Sequence, residues 1–200
     1  MGIDSRFDEV FPLLSELYSE PGRHYHNLDH VCHCLARVDE VREYLRDTDA
    51  VELALWFHDA VYVPSAHDNE LRSALLFDRL LGVHLPTERA DRIHTMIMAT
   101  VHPSGARDDD SRFVADIDLS GFALPRPDFL RATGLLRREC LHLTDSEFQL
   151  GTLAFFKKVL ARPSIYLTKH FRATHEQPAR RNLIDLVEEL ELRQGALAGR

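Results

Sequence analysis

The sequence predicts an all-α protein: a single compact helical bundle of about eight or nine helices, with few or no strands. Three observations carry that prediction. Apolar residues recur with a period near 3.6 along nearly every segment, the spacing of one buried helix face. Turn and capping residues such as Pro21-Gly22, Gly82 and Thr144 separate those segments. The 200 residues are 44% hydrophobic and 28% charged, enough apolar material for one domain. No repeat, low-complexity tract or linker interrupts the chain, so residues 1–200 read as one domain with its core at about 8–193.

The elements follow in order. Asp8 to Ser19 is a helix, with Phe11, Leu14, Leu17 and Tyr18 on one face, broken by Pro21-Gly22. Asn27 to about Leu45 is a second, N-capped by Asn27 and carrying Val31, Leu35, Val38 and Val41 inward. Asp49 to Val61 is a third, capped by Asp49 or Thr48. Asp68 to Leu81 is a fourth with Gly82 at its end, and Pro86 to Val101 a fifth. A polar loop from Thr100 to Asp110 contains Pro103, Gly105 and three successive aspartates. Phe113 to Phe122 suits a short helix or a strand, since period alone does not separate them. Pro125 to Leu143 is helical. Thr144-Asp145-Ser146-Glu147 is a capping signal for Phe148 to Ala161. Pro163 starts a short element around Tyr166, and a last helix runs from Glu176 or Pro178 to about Leu192.

Composition excludes several functions. A formal net charge of −8 argues against a general affinity for duplex nucleic acid. No run of apolar residues reaches membrane-spanning length. Three cysteines, Cys32, Cys34 and Cys140, form no disulfide framework, and no signal peptide is legible, so a cytoplasmic location is expected. Scattered leucines on a helical surface leave the oligomeric state open.

The chemistry starts at His58-Asp59, an adjacent imidazole and carboxylate inside the apolar run Ala54 to Tyr62. A carboxylate buried there without a partner costs several kcal/mol or is forced to neutralise. A divalent ion accepts an imidazole nitrogen and a carboxylate oxygen together and removes that cost. Further ligands are at hand. His26 and His30, four residues apart, project to one side if both are helical, and His30 shares a face with Cys34 and Val38. Asp116 and Asp118 sit among apolar residues and need partners of their own. The set His30, His58, Asp59 and Asp118 leaves positions on an octahedral ion for water and substrate. By contrast, His30-Val31-Cys32-His33-Cys34 does not read as structural zinc, because Cys32 and Cys34 point to different sides of a helix. No Gly-x-Ser-x-Gly elbow, activated cysteine or phosphate-cradling glycine loop is present.

A His, then an adjacent His-Asp, then a distant Asp, all on helical segments, resembles the signature of the HD superfamily of metal-dependent phosphohydrolases. The likeness covers most of the chain. It is closest to a small bacterial group of predicted phosphohydrolases, through His58-Asp59-Ala60-Val61-Tyr62, Asp68-Asn69-Glu70 with Ser73-Ala74, Asp118-Leu119-Ser120, and Glu176-x-x-Ala179-Arg180-x-Asn182-Leu183. Tyr25-His26-Asn27-x-x-His30 and Asp118-Leu119-Ser120 also resemble segments of cyclic-nucleotide phosphodiesterases.

The resemblance implies an HD-domain enzyme cleaving a small phosphoester, a nucleotide among the candidates, with one or two divalent ions per chain (Mn, Mg, Co, Ni, Fe or Zn). His30, His58, Asp59 and Asp118 would hold the ion. His26 would give a proton to the leaving oxygen, Asp59 would bridge two ions if a second binds, and Glu70 would reach the activated water. His94 and His102 are candidates for a second ion or for substrate, and Asn27, Asn69, Arg180 and Asn182 for substrate contact. Alarmone hydrolases of the superfamily carry a Glu-Asp pair soon after the His-Asp; here Ala60-Val61-Tyr62 follows, which disfavours that activity. A di-iron oxygenase on the same fold and a catalytically silent ligand-binding module are the alternatives.

Overall fold

The computed structural model describes residues 3–101, 106 and 108–198. It is all-α: ten helices and no strand occur among the described residues. The chain divides into two compact units, Met1–Asp118 and Leu119–Arg200.

The first unit holds α1 (Ile3–Tyr18), α2 (Leu28–Val41), α3 (Thr48–Phe57), α4 (Asn69–Leu80), α5 (Thr87–Met98) and α6 (Asp109–Asp118). Its centre is α3, which lies against α2, α4, α5 and α6. Ala50, Val51, Leu53, Ala54, Leu55 and Phe57 are all buried, so this short helix is apolar nearly all round, as a central helix must be. The Phe57 ring meets Phe77 of α4 edge-on, with centroids 5.4 Å apart.

Several boundaries differ from those the periodicity predicts, each for a local reason. The first helix begins at Ile3 rather than Asp8, and Gly22 ends the turn after it with φ 97°, a left-handed backbone that glycine adopts without strain. Asn27 caps α2 as expected, its side chain accepting from the Asp29 and His30 amides. That helix gives way at Arg42–Tyr44 to a tighter 3₁₀ turn. The cap of α3 is Asp47, accepting from Ala50 N–H, rather than Thr48 or Asp49.

The same helix stops at Phe57, not Val61. Ala60 N–H turns back to Phe57 O in a shorter-range bond, and the Arg23 guanidinium takes the carbonyls of Asp59 and Ala60. Thr87–Met98 is followed by a 3₁₀ turn, Ala99–Val101. The ambiguous segment around Phe113 is helical, as α6 and then the 3₁₀ turn Leu119–Ala123.

The second unit consists of that turn, α7 (Arg126–Glu139), α8 (Asp145–Leu160), α9 (Lys169–Thr174) and α10 (Glu176–Ala198). Here α10 packs on the turn, on α8 and on α9, around Phe156, Val159, Ile165, Tyr166, Phe171, Ala179 and Leu183. The expected capping box is present: Thr144 Oγ1 accepts from Glu147 N–H while the Glu147 carboxylate accepts from Thr144 N–H. Helix α7 ends at Glu139, short of Leu143, because Arg137 reaches over its own C-terminus to the Cys140 and Leu143 carbonyls. No helix forms around Tyr166, since the Ile165 and Tyr166 amides donate to the Glu176 carboxylate instead. The final helix continues past Leu192 to Ala198.

Candidate metal centre

Three short stretches of the first unit converge. Helix α2 delivers His30 from its first turn, oriented by the Asn27 cap. The turn leaving α3 delivers His58 and Asp59, and the last residue of α6 delivers Asp118. One atom of each lies within 4.8 Å of every other.

The spacing is that of ligands round one ion. His30 Nε2 is 3.1 Å from His58 Nε2 and 3.4 Å from Asp118 Oδ1. His58 Nε2 is 3.0 Å from Asp59 Oδ2 and 3.5 Å from Asp118 Oδ1, and His30 Nε2 is 3.6 Å from Asp59 Oδ2. Bonds of ~2.1 Å at octahedral to tetrahedral angles put neighbouring ligand atoms about 3.0–3.4 Å apart. His30 and His58 are buried, and so is Asp59.

The tautomer of His58 is set by its other nitrogen. Nδ1 lies 2.8 Å from the Leu55 carbonyl, which only accepts, so Nδ1 carries the proton and donates it. In its neutral form the ring therefore aims the Nε2 lone pair into the cluster, the arrangement usual for a metal-binding imidazole.

Electrostatics agree. Burial works against a charged His58, but the Asp59 and Asp118 carboxylates outweigh it and push the imidazole well above its ordinary value. Burial likewise opposes the Asp59 carboxylate, yet His58, His26 and His30 hold it far below the usual carboxylate range. Both directions describe one fact: the pocket favours a cation, whether a proton on an imidazole or a metal ion among the four donors.

The second layer fixes this geometry. Arg23, buried, donates to the carbonyls of Asp59 at 2.6 Å, Ala60 at 2.8 Å and His26 at 3.2 Å, tying the loop before α2 to the turn after α3. Asn69 holds Val63 through both its backbone groups, and Ser73 holds Val61. The start of α6 is tied to the chain before α3, because the Asp110 carboxylate accepts from the Arg46 and Asp47 amides and pairs with Arg92.

The other candidates fall as follows. His26 stands at the rim, its Nε2 4.0 Å from Asp59 Oδ2 and its ring against Tyr62 with centroids 4.2 Å apart. Asn27 spends its side chain on the α2 cap and on His24 O, and Asn69 on Val63. Glu70, in the first turn of α4, has no side-chain hydrogen bond or ion pair to the described residues and is not part of the cluster. His94 pairs through Nδ1 with Asp78 at 2.8 Å and is not among the clustered ligands. His102 lies outside the described residues. Asp116 is buried on α6. Arg180 and Asn182 belong to the second unit, where Arg180 binds Glu176 and the carbonyls of Leu160, Arg162 and Pro163, and Asn182 binds those of Phe122 and Leu124.

Two residues that sequence reasoning passed over matter here. Arg23 gave no signal, because a lone arginine after a Pro-Gly turn reads as surface. Cys34 was legible only as sharing a face with His30; its Sγ, fully buried, lies 3.8 Å from His30 Nε2. Burial and the nearby Asp118 and Asp59 push this thiol well above its ordinary value. Cys32 faces outward, as the helical spacing required.

No helix among the described residues is long and apolar enough to cross a membrane. No protein-family model matches the chain, and neither a curated protein nor a solved structure matches it.

Proposed function

We propose that this protein is an HD-type metal-dependent phosphohydrolase that cleaves a small phosphoester, with nucleotides among the candidate substrates. The observation that carries the reading is the convergence of His30, His58, Asp59 and Asp118, with the His58 lone pair turned into the cluster by Leu55 O. His30, His58, Asp59 and Asp118, two imidazoles and two carboxylates, would hold a divalent ion and balance its charge. When bound, such an ion supplies the Lewis acidity that makes water nucleophilic near neutral pH.

The chain's own groups supply the rest. His26 sits at the partly exposed rim beside Asp59, where an imidazole can hold a proton at Nε2 and pass it to a leaving oxygen. Tyr62 packs on that ring and limits its rotation. The Arg23 clamp keeps the backbone of Asp59 and the loop of His26 in register.

The test is a phosphoester panel on protein loaded in turn with Mn²⁺, Mg²⁺, Co²⁺ and Ni²⁺. Turnover is expected with at least one ion, and Asp59→Ala should bring it to background. His26→Ala should lower kcat by about 10²–10⁴-fold while leaving metal stoichiometry unchanged. A protein that binds the ion tightly yet turns over nothing in the panel overturns the reading.

A further inference from the structure

The two imidazoles of the cluster belong to two donor sets, not one. Besides the carboxylate set, His30, Cys34 and His58 also place one ligand atom each within 4.8 Å of one another, and all three are buried. Cys34 lies one helical turn beyond His30 on α2, so its sulfur follows the same face. Metal–sulfur bonds of ~2.3 Å and metal–nitrogen bonds of ~2.05 Å put S and N about 3.6–3.8 Å apart between tetrahedral and trigonal angles. Cys34 Sγ is 3.8 Å from His30 Nε2.

The cluster is thus two-sided. Asp59 and Asp118, whose side chains keep 13% and 18% exposure, form the open side, and the fully buried sulfur forms the floor. Carboxylate oxygens suit hard ions such as Mg²⁺ and Mn²⁺; a thiolate suits thiophilic ones such as Zn²⁺.

We propose that His30, Cys34 and His58 form a second, softer metal seat that takes a thiophilic divalent ion as a thiolate complex, and that it excludes a hard ion from the carboxylate set because both sets use the same two imidazoles. On binding, the Cys34 S–H bond breaks, a sulfur–metal bond forms, and the proton leaves to the buffer; no oxidant or reductant is involved. The hard-ion set then loses His30 and His58, so a thiophilic ion acts as an inhibitor and the hard ion as the activator. The softer seat shares two ligands with the proposed hydrolytic site; its metal binding does not depend on hydrolysis, whereas the inhibitor and activator roles rest on that reading.

The experiment titrates metal-free protein with Co²⁺ and Zn²⁺ and reads binding directly. Wild-type protein should develop a near-ultraviolet thiolate-to-cobalt charge-transfer band. Cys34→Ser and Cys34→Val should both lose it, with Zn²⁺ affinity falling by at least roughly 10- to 100-fold and Mn²⁺ affinity kept. Valine fills the buried position with apolar volume, so the pair separates loss of the donor from loss of fold, which circular dichroism checks. Zn²⁺ added to the Mn²⁺-loaded protein should release one Mn²⁺ for each Zn²⁺ taken up, seen by electron paramagnetic resonance of the freed ion.

Cobalt binding without the charge-transfer band, a band that survives in Cys34→Ser, or Zn²⁺ and Mn²⁺ bound together at full occupancy each overturns the proposal. Mn²⁺ binding that Asp118→Asn abolishes, with no thiolate band in the wild type, sinks the softer seat alone. A thiolate band without Mn²⁺ binding sinks the hydrolytic set alone.

Discussion

Both units hold buried or half-buried charged and polar side chains, but they satisfy them in opposite ways. In the second, Glu176 accepts from Ser164 Oγ and from the Ile165 and Tyr166 amides and pairs with Arg180, whose two terminal nitrogens donate to three backbone carbonyls. Donors there meet acceptors within the network. In the first, one ligand atom each from His30, His58, Asp59 and Asp118 converges within 4.8 Å of the others, a set of groups that a proton or a metal ion can hold together. A matched network is a structural clamp; a convergence of acceptors marks a place for a cation.

The comparison breaks most sharply through metal affinity. Asp59→Ala and Asp118→Ala should each weaken Mn²⁺ binding by about 100-fold or more, measured by equilibrium dialysis. Arg180→Ala should leave affinity and stoichiometry unchanged. A parallel loss of Mn²⁺ binding in Arg180→Ala would erase the distinction between the two networks.

The second unit responds in stability. Glu176→Gln removes the charge that the Ile165 and Tyr166 amides and Arg180 share, and should cost about 1–3 kcal/mol in urea denaturation near pH 7. Burial raises the Glu176 carboxyl, but the donors around it prevail and hold it below its ordinary value. A depressed folded-state value contributes stability that is complete above the unfolded value of about 4.3 and is lost as pH falls through the folded one. The wild type should therefore lose its advantage over Glu176→Gln as pH falls below about 4. A difference that grows on acidification would reverse the assigned sign.

The smallest expected effect lies at the α2 cap. Asn27→Ala removes the acceptor for the Asp29 and His30 amides and should cost about 1 kcal/mol. Because His30 sits in that first turn, Mn²⁺ affinity should fall with stability, by several-fold at most. Asn27→Asp, which can still cap, should restore both.

Much of this was legible in the chain. Periodicity located the helices, since one buried face imposes its spacing on any sequence that folds that way. Asn27 and the Thr144–Glu147 box were legible because caps are local: donor and acceptor lie within three residues. The four cluster ligands could be nominated because polar groups in apolar segments need partners wherever they end up.

Tertiary structure decided which partners those are. Whether α3 runs on to Val61 depends on Arg23, thirty-odd residues earlier, capturing the Asp59 and Ala60 carbonyls. The side chains of Asn69 and Asn182 bond backbone groups, and Arg180 bonds backbone carbonyls and the Glu176 carboxylate, partners that no local pattern specifies. Cys34 enters the site only because α2 lays His30 and Cys34 against the turn that carries His58. Helix propensity and capping are settled within a few residues, so the sequence alone determined most of the elements and the kinds of atom available, but not the helical state of the Phe113 segment or the short helix α9. The distances at which those atoms meet arise from packing between elements far apart in the chain, and only the folded unit contains them.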